Sequence, residues 1–274
     1  MAEKYNWPIL WQDFGEMTKL ELQLRAAACL TAGEVSLSSI EDGSWRRDAA
    51  ATKKIREQWP RVEKLKLCYE DVSKFDPKQI LTSVRKFYYN TAGRNNKFIW
   101  CLDYLKPFDT DDFNTPEWKQ MGHFIQDVKS FITGEIETNL FTSIQLNKFG
   151  ITNNKSSANV DDSENSVSMS DRITQQSSHT FILRRKTNDE LEKEQNMFGN
   201  LKQIPVKVRH YGRDWQRATA PVRDIDGKFK NNYVNIESRN FHFIDKGDMQ
   251  DYVARYHDLF PQENPEQPPD LGTV

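Results

Sequence analysis

The chain has few of the residues that mark a covalently stabilised or metal-stabilised scaffold. Its three cysteines, Cys29, Cys68 and Cys101, are widely spaced and form no CxxC pair. This odd, scattered set gives neither a disulfide framework nor zinc-ligand spacing, so we predict buried thiols in a reducing compartment. The histidines never fall at metal-ligand spacing either. The sequence therefore predicts no metal site and no cofactor.

Glycine and long apolar runs are also scarce. The 12 glycines are not clustered, so no glycine-rich phosphate loop is recognised. No apolar run is long enough for a membrane span or for the core of a signal peptide. The 38 basic and 40 acidic residues nearly cancel, which removes any overall attraction to nucleic acid or anionic lipid. We expect a cytoplasmic or nuclear protein with no membrane span.

Helical periodicity dominates the first half of the chain. Apolar residues recur at steps of three and four in 13–32, in 78–91 and in the segment that follows Thr115. The apolar stretch 97–108 is ambiguous between a buried helix and a strand, and we predict a helix. Together these segments predict an all-α helical bundle over residues 1–148.

The composition changes abruptly after the predicted bundle. Residues 149–179 are rich in serine and asparagine, so they predict a disordered linker. In 180–262, short alternating strands, a capping box at Thr187 and a hairpin turn at Asp226-Gly227 predict a small mixed α+β module with an antiparallel sheet. A Pro-rich tail follows at 263–274. The predicted class is α+β overall.

One stretch of the module, residues 202–230, is locally basic and contains interleaved aromatic residues. A basic strand pair with aromatic side chains could bind a phosphate backbone or stacked bases. The alternative is that these cations are simply the solvent-facing positions of strands. The candidate residues for nucleic-acid or partner binding are Lys207, Arg209, His210, Arg213, Trp215, Arg217, Lys228 and Lys230.

Two further groups of residues invite a functional reading. His210, Arg213 and Asp214 lie close together in HYGRDW, but general-base chemistry needs a positioned partner and a pocket that the sequence does not reveal. We therefore predict no catalytic residue and no enzyme. Near the N-terminus, Trp7 and Trp11 could dock a partner if exposed, or fold back to cap the bundle.

Three stretches of the first half resemble the HeLo domain of fungal incompatibility and prion-associated proteins. They are DFGEMTKLELQLRAAACLTAGE, RKFYYNTAGRNNKFIWCLDYLKPFD and FIQDVKSFITGEIETNLF, within roughly residues 10–146. The resemblance implies an all-helical, self-associating domain in regulated cell death, in which an apolar N-terminal segment damages membranes. This chain has only the short Trp7–Trp11 cluster at that place.

The resulting functional prediction is a non-enzymatic interaction or regulatory protein. Its helical domain would self-associate or bind a protein partner as an oligomer. Two alternatives stay open: a nucleic-acid-associated protein that uses 202–230, and an enzyme of unknown class.

Overall fold

A computed structural model describes residues 2–108, 116–136, 138–144, 171–209, 221–240 and 242–259. The chain divides into two compact units. The first comprises Met1–Ser177 with Ser238–Phe243, and the second comprises Ser178–Glu237 with Ile244–Val274. Within the described residues, no helix combines the length and apolar character needed to cross a membrane.

A four-stranded parallel sheet forms the centre of the first unit. Its spatial order is β2-β1-β3-β4, and each neighbouring pair is parallel. The strands are β1 (Ile9–Asp13), β2 (Leu67–Asp71), β3 (Ile99–Asp103) and β4 (Asn139–Thr142).

Helices connect these strands, as parallel pairing requires. A 3₁₀ turn at Ser44–Arg47 precedes the fourth helix, and π-helical turns at Tyr88–Ala92 and Ile132–Ile136 extend the fifth and sixth. The helices are α1 (Ala2–Tyr5), α2 (Lys19–Leu30), α3 (Leu37–Asp42), α4 (Ala49–Lys64), α5 (Pro77–Phe87), α6 (Glu117–Phe131) and α7 (Asp171–Gln176).

Two hydrophobic clusters hold this unit together. The larger one joins the sheet to α5 and α6, and the side chains of Trp100 and Phe124 are completely buried in it. The smaller one joins α2, α3 and α4 through residues such as Ala27, Ile40 and Ile55. A parallel sheet whose strands alternate with helices along the chain is typical of an α/β domain.

The predicted all-α bundle over 1–148, and with it the α+β class built on that bundle, is wrong. The stretch 97–108 contains β3, Leu67–Asp71 forms β2, and Asn139–Thr142 forms β4. Strands of four or five residues inside a parallel sheet show no clean period-two pattern. Periodicity alone therefore does not distinguish these short apolar runs from segments of the neighbouring helices, and the sequence pattern predicted helix.

The remaining strands form an antiparallel arrangement. A sheet of order β10-β9-β6-β5 has β6 antiparallel to both β5 and β9, and β7 pairs with β8 as a separate hairpin. The elements are β5 (His179–Arg185), α8 (Asn188–Lys193), β6 (Leu201–Val208), β7 (Pro221–Arg223), β8 (Phe229–Asn231), β9 (Val234–Arg239), β10 (His242–Asp248) and α9 (Met249–Leu259).

Two local predictions are confirmed here. Thr187 forms the capping box at the start of α8, and the turn at Asp226-Gly227 joins β7 to β8, with Gly227 at a φ of +75°. Most of the predicted linker 149–179 and all of the predicted tail 263–274 lie outside the described residues, and these domain boundaries stay predictions.

The three thiols are less buried than the sequence predicts. Cys68 is exposed, and Cys29 and Cys101 are half-buried. Even this partial burial raises the pKa of each thiol above its ordinary value, so all three are protonated near neutral pH.

Candidate functional site

Three aspartates end three neighbouring strands of the parallel sheet. Asp13 of β1 stands in register with Asp71 of β2 on one side and with Asp103 of β3 on the other. The connections leave β1 first toward β2 and then cross back to β3, so the winding of the sheet reverses beside β1. In open α/β sheets, ligands bind outside the carboxyl ends of the strands at this switch point. The three aspartates therefore mark the candidate site.

The three carboxyl groups have different surroundings. Asp13 is fully buried, and its Oδ2 has no hydrogen-bond partner among the described residues. Burial and the nearby negative charge of Asp13 raise the pKa of Asp103. Hydrogen bonds from the backbone and side chain of Ser73 lower the pKa of Asp71. No group of three or more His, Cys, Asp or Glu side chains in the described part of the chain has metal-site geometry.

A short loop, residues 14–18, joins β1 to α2 at this edge. Asp13 Oδ1 accepts hydrogen bonds from the backbone amides of Glu16 at 2.6 Å and Met17 at 3.2 Å. Gly15 has a φ of +84°, a conformation that side chains rarely adopt, and it lets the chain turn back toward α2. The end of β1 and the loop after it therefore form one hydrogen-bonded turn.

Residues from the other strands also fix this loop. Lys106, which follows β3, donates from Nζ to the Phe14 carbonyl at 2.9 Å and to Glu16 Oε1 at 3.1 Å. Tyr69 of β2 donates its hydroxyl proton to the Met17 carbonyl. Loop 14–18 is consequently held in a defined conformation by Tyr69 of β2 and by Lys106 of the segment after β3.

The N-terminus of α2 opens next to the loop. Thr18 caps it, and Glu21 Oε2 accepts from the Thr18 amide at 2.6 Å and from Thr18 Oγ1 at 2.9 Å. Lys19 and Leu20 are the first two helical residues, whose amides have no acceptor inside the helix. Such an end attracts anions through its amides and its dipole. In this chain the Glu21 carboxylate fills part of that anion position.

This strand–loop–helix unit has the layout of a phosphate-binding P-loop but few of its residues. If the motif G-x-x-x-x-G-K-[ST] is placed with its lysine on Lys19, it requires glycine at 13 and 18 and Ser or Thr at 20. The chain has Asp13, Thr18 and Leu20 instead. A search for clustered glycines therefore missed the unit. The signal that remained was one lysine at the start of a capped helix.

Comparisons with known proteins show the fold. No family model and no curated protein matches the chain. Among solved structures, the chain is similar to one described as an ATPase domain, with a TM-score of 0.62 and 16% identity over 88% of this chain and 75% of that one. The chain shares the α/β fold of that domain.

A second similar structure is that of a DnaB-like replicative helicase, described with its interactions with primase. The TM-score is 0.61 at 16% identity, and the match covers 88% of this chain. It covers 51% of the helicase chain, so this chain spans about half the length of that protein. At this level of identity the likeness establishes the fold only.

These findings correct the functional predictions from sequence. The resemblance to the HeLo domain is wrong, because the first unit is a parallel α/β domain and not a helical bundle. The prediction of a non-enzymatic, HeLo-like regulatory protein is contradicted as well, because the solved structures that share the fold are ATPase and helicase domains.

The predicted basic site is only partly described. Lys207 lies on β6, Arg209 directly follows it, and Lys228 and Lys230 belong to the β7–β8 hairpin. Lys230 Nζ forms an ion pair with Asp224 Oδ2 at 2.9 Å. The remaining predicted residues, His210, Arg213, Trp215 and Arg217, lie outside the described residues, and binding by this region stays a prediction.

The two tryptophans of the N-terminal cluster have different environments. Trp7 is half-buried, stacks on Tyr5 at a centroid distance of 5.1 Å and lies beneath the Lys97 ammonium. Trp11 is half-buried on β1, in the interior of the parallel sheet. Neither caps a helical bundle. Partner docking by Trp7 and Trp11 stays a prediction.

Proposed function

We propose that the chain is a nucleotide-binding ATPase domain of the replicative-helicase type. The observation that carries this proposal is that the α/β fold places loop 14–18 and Lys19 at the switch point of the parallel sheet. An ATPase domain and a replicative helicase share this fold. The substrate class is a nucleoside triphosphate.

The N-terminus of α2 supplies the groups that hold phosphate oxygens. The amides of Thr18, Lys19 and Leu20 point out of the first turn, and the exposed Lys19 ammonium adds a positive charge. The Glu21 carboxylate must leave the Thr18 amide when a phosphate binds there, because both are anions that need the same donor. Phosphate and Glu21 therefore compete for one position.

The aspartates at the same edge fit a divalent cation that arrives with the nucleotide. Mg²⁺ in phosphate sites is usually held by one or two carboxylates together with phosphate oxygens and water. Asp13, with its buried and unpaired Oδ2, and Asp103, its register partner, are oxygen donors of that kind. Such a cation would neutralise charge on the phosphates.

The proposed function also implies partners and a cellular location for the protein. Because the second similar structure is described with its interactions with primase, we expect a protein partner for this chain, and self-association is retained from the sequence prediction. Nucleic acid is the expected macromolecular ligand of a helicase-type domain. A cytoplasmic or nuclear location is likewise retained.

Phosphate release from ATP, measured with Mg²⁺ in the presence and absence of single-stranded DNA, tests the proposal. Lys19→Ala should reduce the rate at least about 10-fold, since it removes a charge-assisted contact with phosphate. Lys66→Ala is the matched control, because Lys66 is exposed at the opposite edge of the sheet, where its carbonyl bonds the Ile9 amide. Absence of both nucleotide binding and hydrolysis in the unaltered protein would contradict the proposal.

A further inference from the structure

A basic cavity lies beside the first turns of α4, away from the strand ends. It has a volume of about 500 Å³, and its lining includes four cationic side chains and one carboxylate. All five are exposed to solvent. They are Arg46, Arg47, Lys53, Arg56 and Glu57.

The positive charges of this cavity are largely uncompensated. Among the described residues, one ion pair involves them, between Lys53 and Glu57 at 4.0 Å, and both of those side chains are more than half exposed. An exposed pair of this kind contributes little. Hydrogen bonds from Ser44 lower the pKa of Asp42, and the charge of Arg47 contributes to the same shift. Asp42 Oδ1 accepts from the Ser44 amide at 2.7 Å, so this carboxylate is hydrogen-bonded to Ser44 and forms no ion pair with Arg47.

Two cations of α4 outside the cavity are each paired with a carboxylate. Lys54 pairs with Glu34, and Arg61 pairs with Glu3 at 2.8 Å. Around the cavity, Arg46, Arg47 and Arg56 form no ion pair among the described residues, so three uncompensated cations lie together there.

The backbone that carries these cations is well fixed. Asp48 Oδ1 accepts from the Ala50 amide at 2.8 Å and from the Ala51 amide at 3.1 Å, which caps α4. Thr52 Oγ1 donates to the Trp45 carbonyl at 2.9 Å, tying the first turn of α4 to the preceding 3₁₀ turn. The Arg46 guanidinium lies over the Trp45 ring at 5.0 Å. A ligand would meet cations on a preformed frame.

We propose that this cavity binds the phosphate backbone of single-stranded nucleic acid. The lining residues from Ala49 to Arg56 extend about 10 Å along α4 at 1.5 Å per residue, so one phosphate cannot contact both ends. Successive phosphates of one strand lie about 3.4 Å apart along the axis of a duplex and farther apart in an extended single strand, so the cavity has room for about two to three phosphates. The site shares no residue with the nucleotide site; the choice of nucleic acid as its ligand rests on the proposed helicase-type function, whereas its position rests on the charges of the cavity.

The experiment measures binding of a labelled oligothymidylate across a series of salt concentrations. The cavity variant is Arg47→Gln, Lys53→Gln and Arg56→Gln combined. The matched control replaces three exposed lysines of the same unit, Lys64→Gln, Lys66→Gln and Lys86→Gln, so that both proteins lose the same charge. Thermal melting verifies that each variant is folded. Inorganic phosphate and ATP serve as competitors.

The cavity variant should lose affinity at least about 10-fold, and the slope of log K against log salt should fall by about 2, since each contacted phosphate of a single strand contributes about 0.7. The control variant should retain its slope. Equal losses in both variants, or no oligonucleotide binding by the unaltered protein at low salt, would overturn the proposal. Binding of inorganic phosphate at millimolar concentration, without binding of the oligonucleotide, would show a free-anion site and would also overturn it.

Discussion

Glu21 Oε2 accepts a hydrogen bond from the Thr18 amide at 2.6 Å, so a carboxylate of the protein occupies an amide that the proposed nucleotide needs. The same carboxylate also accepts from Thr18 Oγ1. The hydrogen bond from Thr18 lowers the pKa of Glu21, which keeps the carboxylate charged. The first turn of α2 is therefore stabilised by a group with which the proposed phosphate would compete.

We predict that Glu21→Gln raises the affinity for ATP about 2- to 5-fold, because it removes a negative charge that competes with phosphate at a helix N-terminus. Glutamine at this position still completes the capping box, so stability should change little. Calorimetric titration with ATP and Mg²⁺ measures the effect. Glu63→Gln, an exposed acid on α4, is the control, and an equal gain in both variants would refute local competition.

The raised pKa of Asp103 predicts a pH-dependent stability. Because burial and Asp13 favour the protonated form in the folded state, the stabilisation from protonating Asp103 is present at low pH and is lost as the pH rises through its raised pKa. Asp103→Asn removes this loss. The variant should be more stable than the unaltered protein near pH 7, and the difference should vanish toward about pH 3.

Urea denaturation across that pH range measures the difference. Asp71→Asn is a control of opposite sign, because hydrogen bonds from Ser73 lower the pKa of Asp71. That pKa shift contributes stability above the ordinary pKa and loses it as the pH falls. If both variants changed stability in the same direction near pH 7, the assigned environments would be wrong.

A buried ion pair lies in the second unit. The side chains of Lys186 and Glu194 are 0% and 4% exposed and contact each other, and Lys186 Nζ also donates to the Phe198 carbonyl at 2.8 Å. Burial lowers the pKa of Lys186 and raises that of Glu194, so each charge depends on the other. Lys186→Met should cost about 3–5 kcal/mol, because it leaves a buried carboxylate unpaired.

The double variant Lys186→Met and Glu194→Leu should recover most of that loss, since it removes both buried charges together. Chemical denaturation of the two single variants and the double variant forms the test cycle. A loss of less than about 1 kcal/mol in the free energy of unfolding for Lys186→Met would mean that the Glu194 carboxylate is not buried as the structure describes.

The sequence predicted the elements whose signals are local. The long amphipathic pattern of α6, the capping box at Thr187 and the turn at Asp226-Gly227 each depend on residues within a few positions of one another. The short strands of the parallel sheet carry no such signal. They are recognised only from their pairing with strands far away in the chain.

The candidate site was hidden for the same reason. The row of aspartates forms only when three strands pair in register, which brings together Asp13, Asp71 and Asp103. The spacing of these residues in the sequence does not predict that register. Lys19 was not recognised as a phosphate-binding lysine, because Asp13 and Thr18 occupy the two positions at which the phosphate-loop motif has glycine. The conformation of this turn is stabilised instead by hydrogen bonds from loop amides to Asp13 and from Thr18 to Glu21.

The most direct test of a nucleotide site at loop 14–18 is an amide NMR titration with ATP and Mg²⁺. The account predicts saturable shifts at Gly15, Thr18, Lys19 and Leu20, with the Thr18 amide changing most as phosphate replaces the Glu21 carboxylate. Lys19→Ala should abolish these shifts, and Lys66→Ala should leave them unchanged. Saturation with no shift at these amides, or with shifts confined to another part of the chain, would contradict the account.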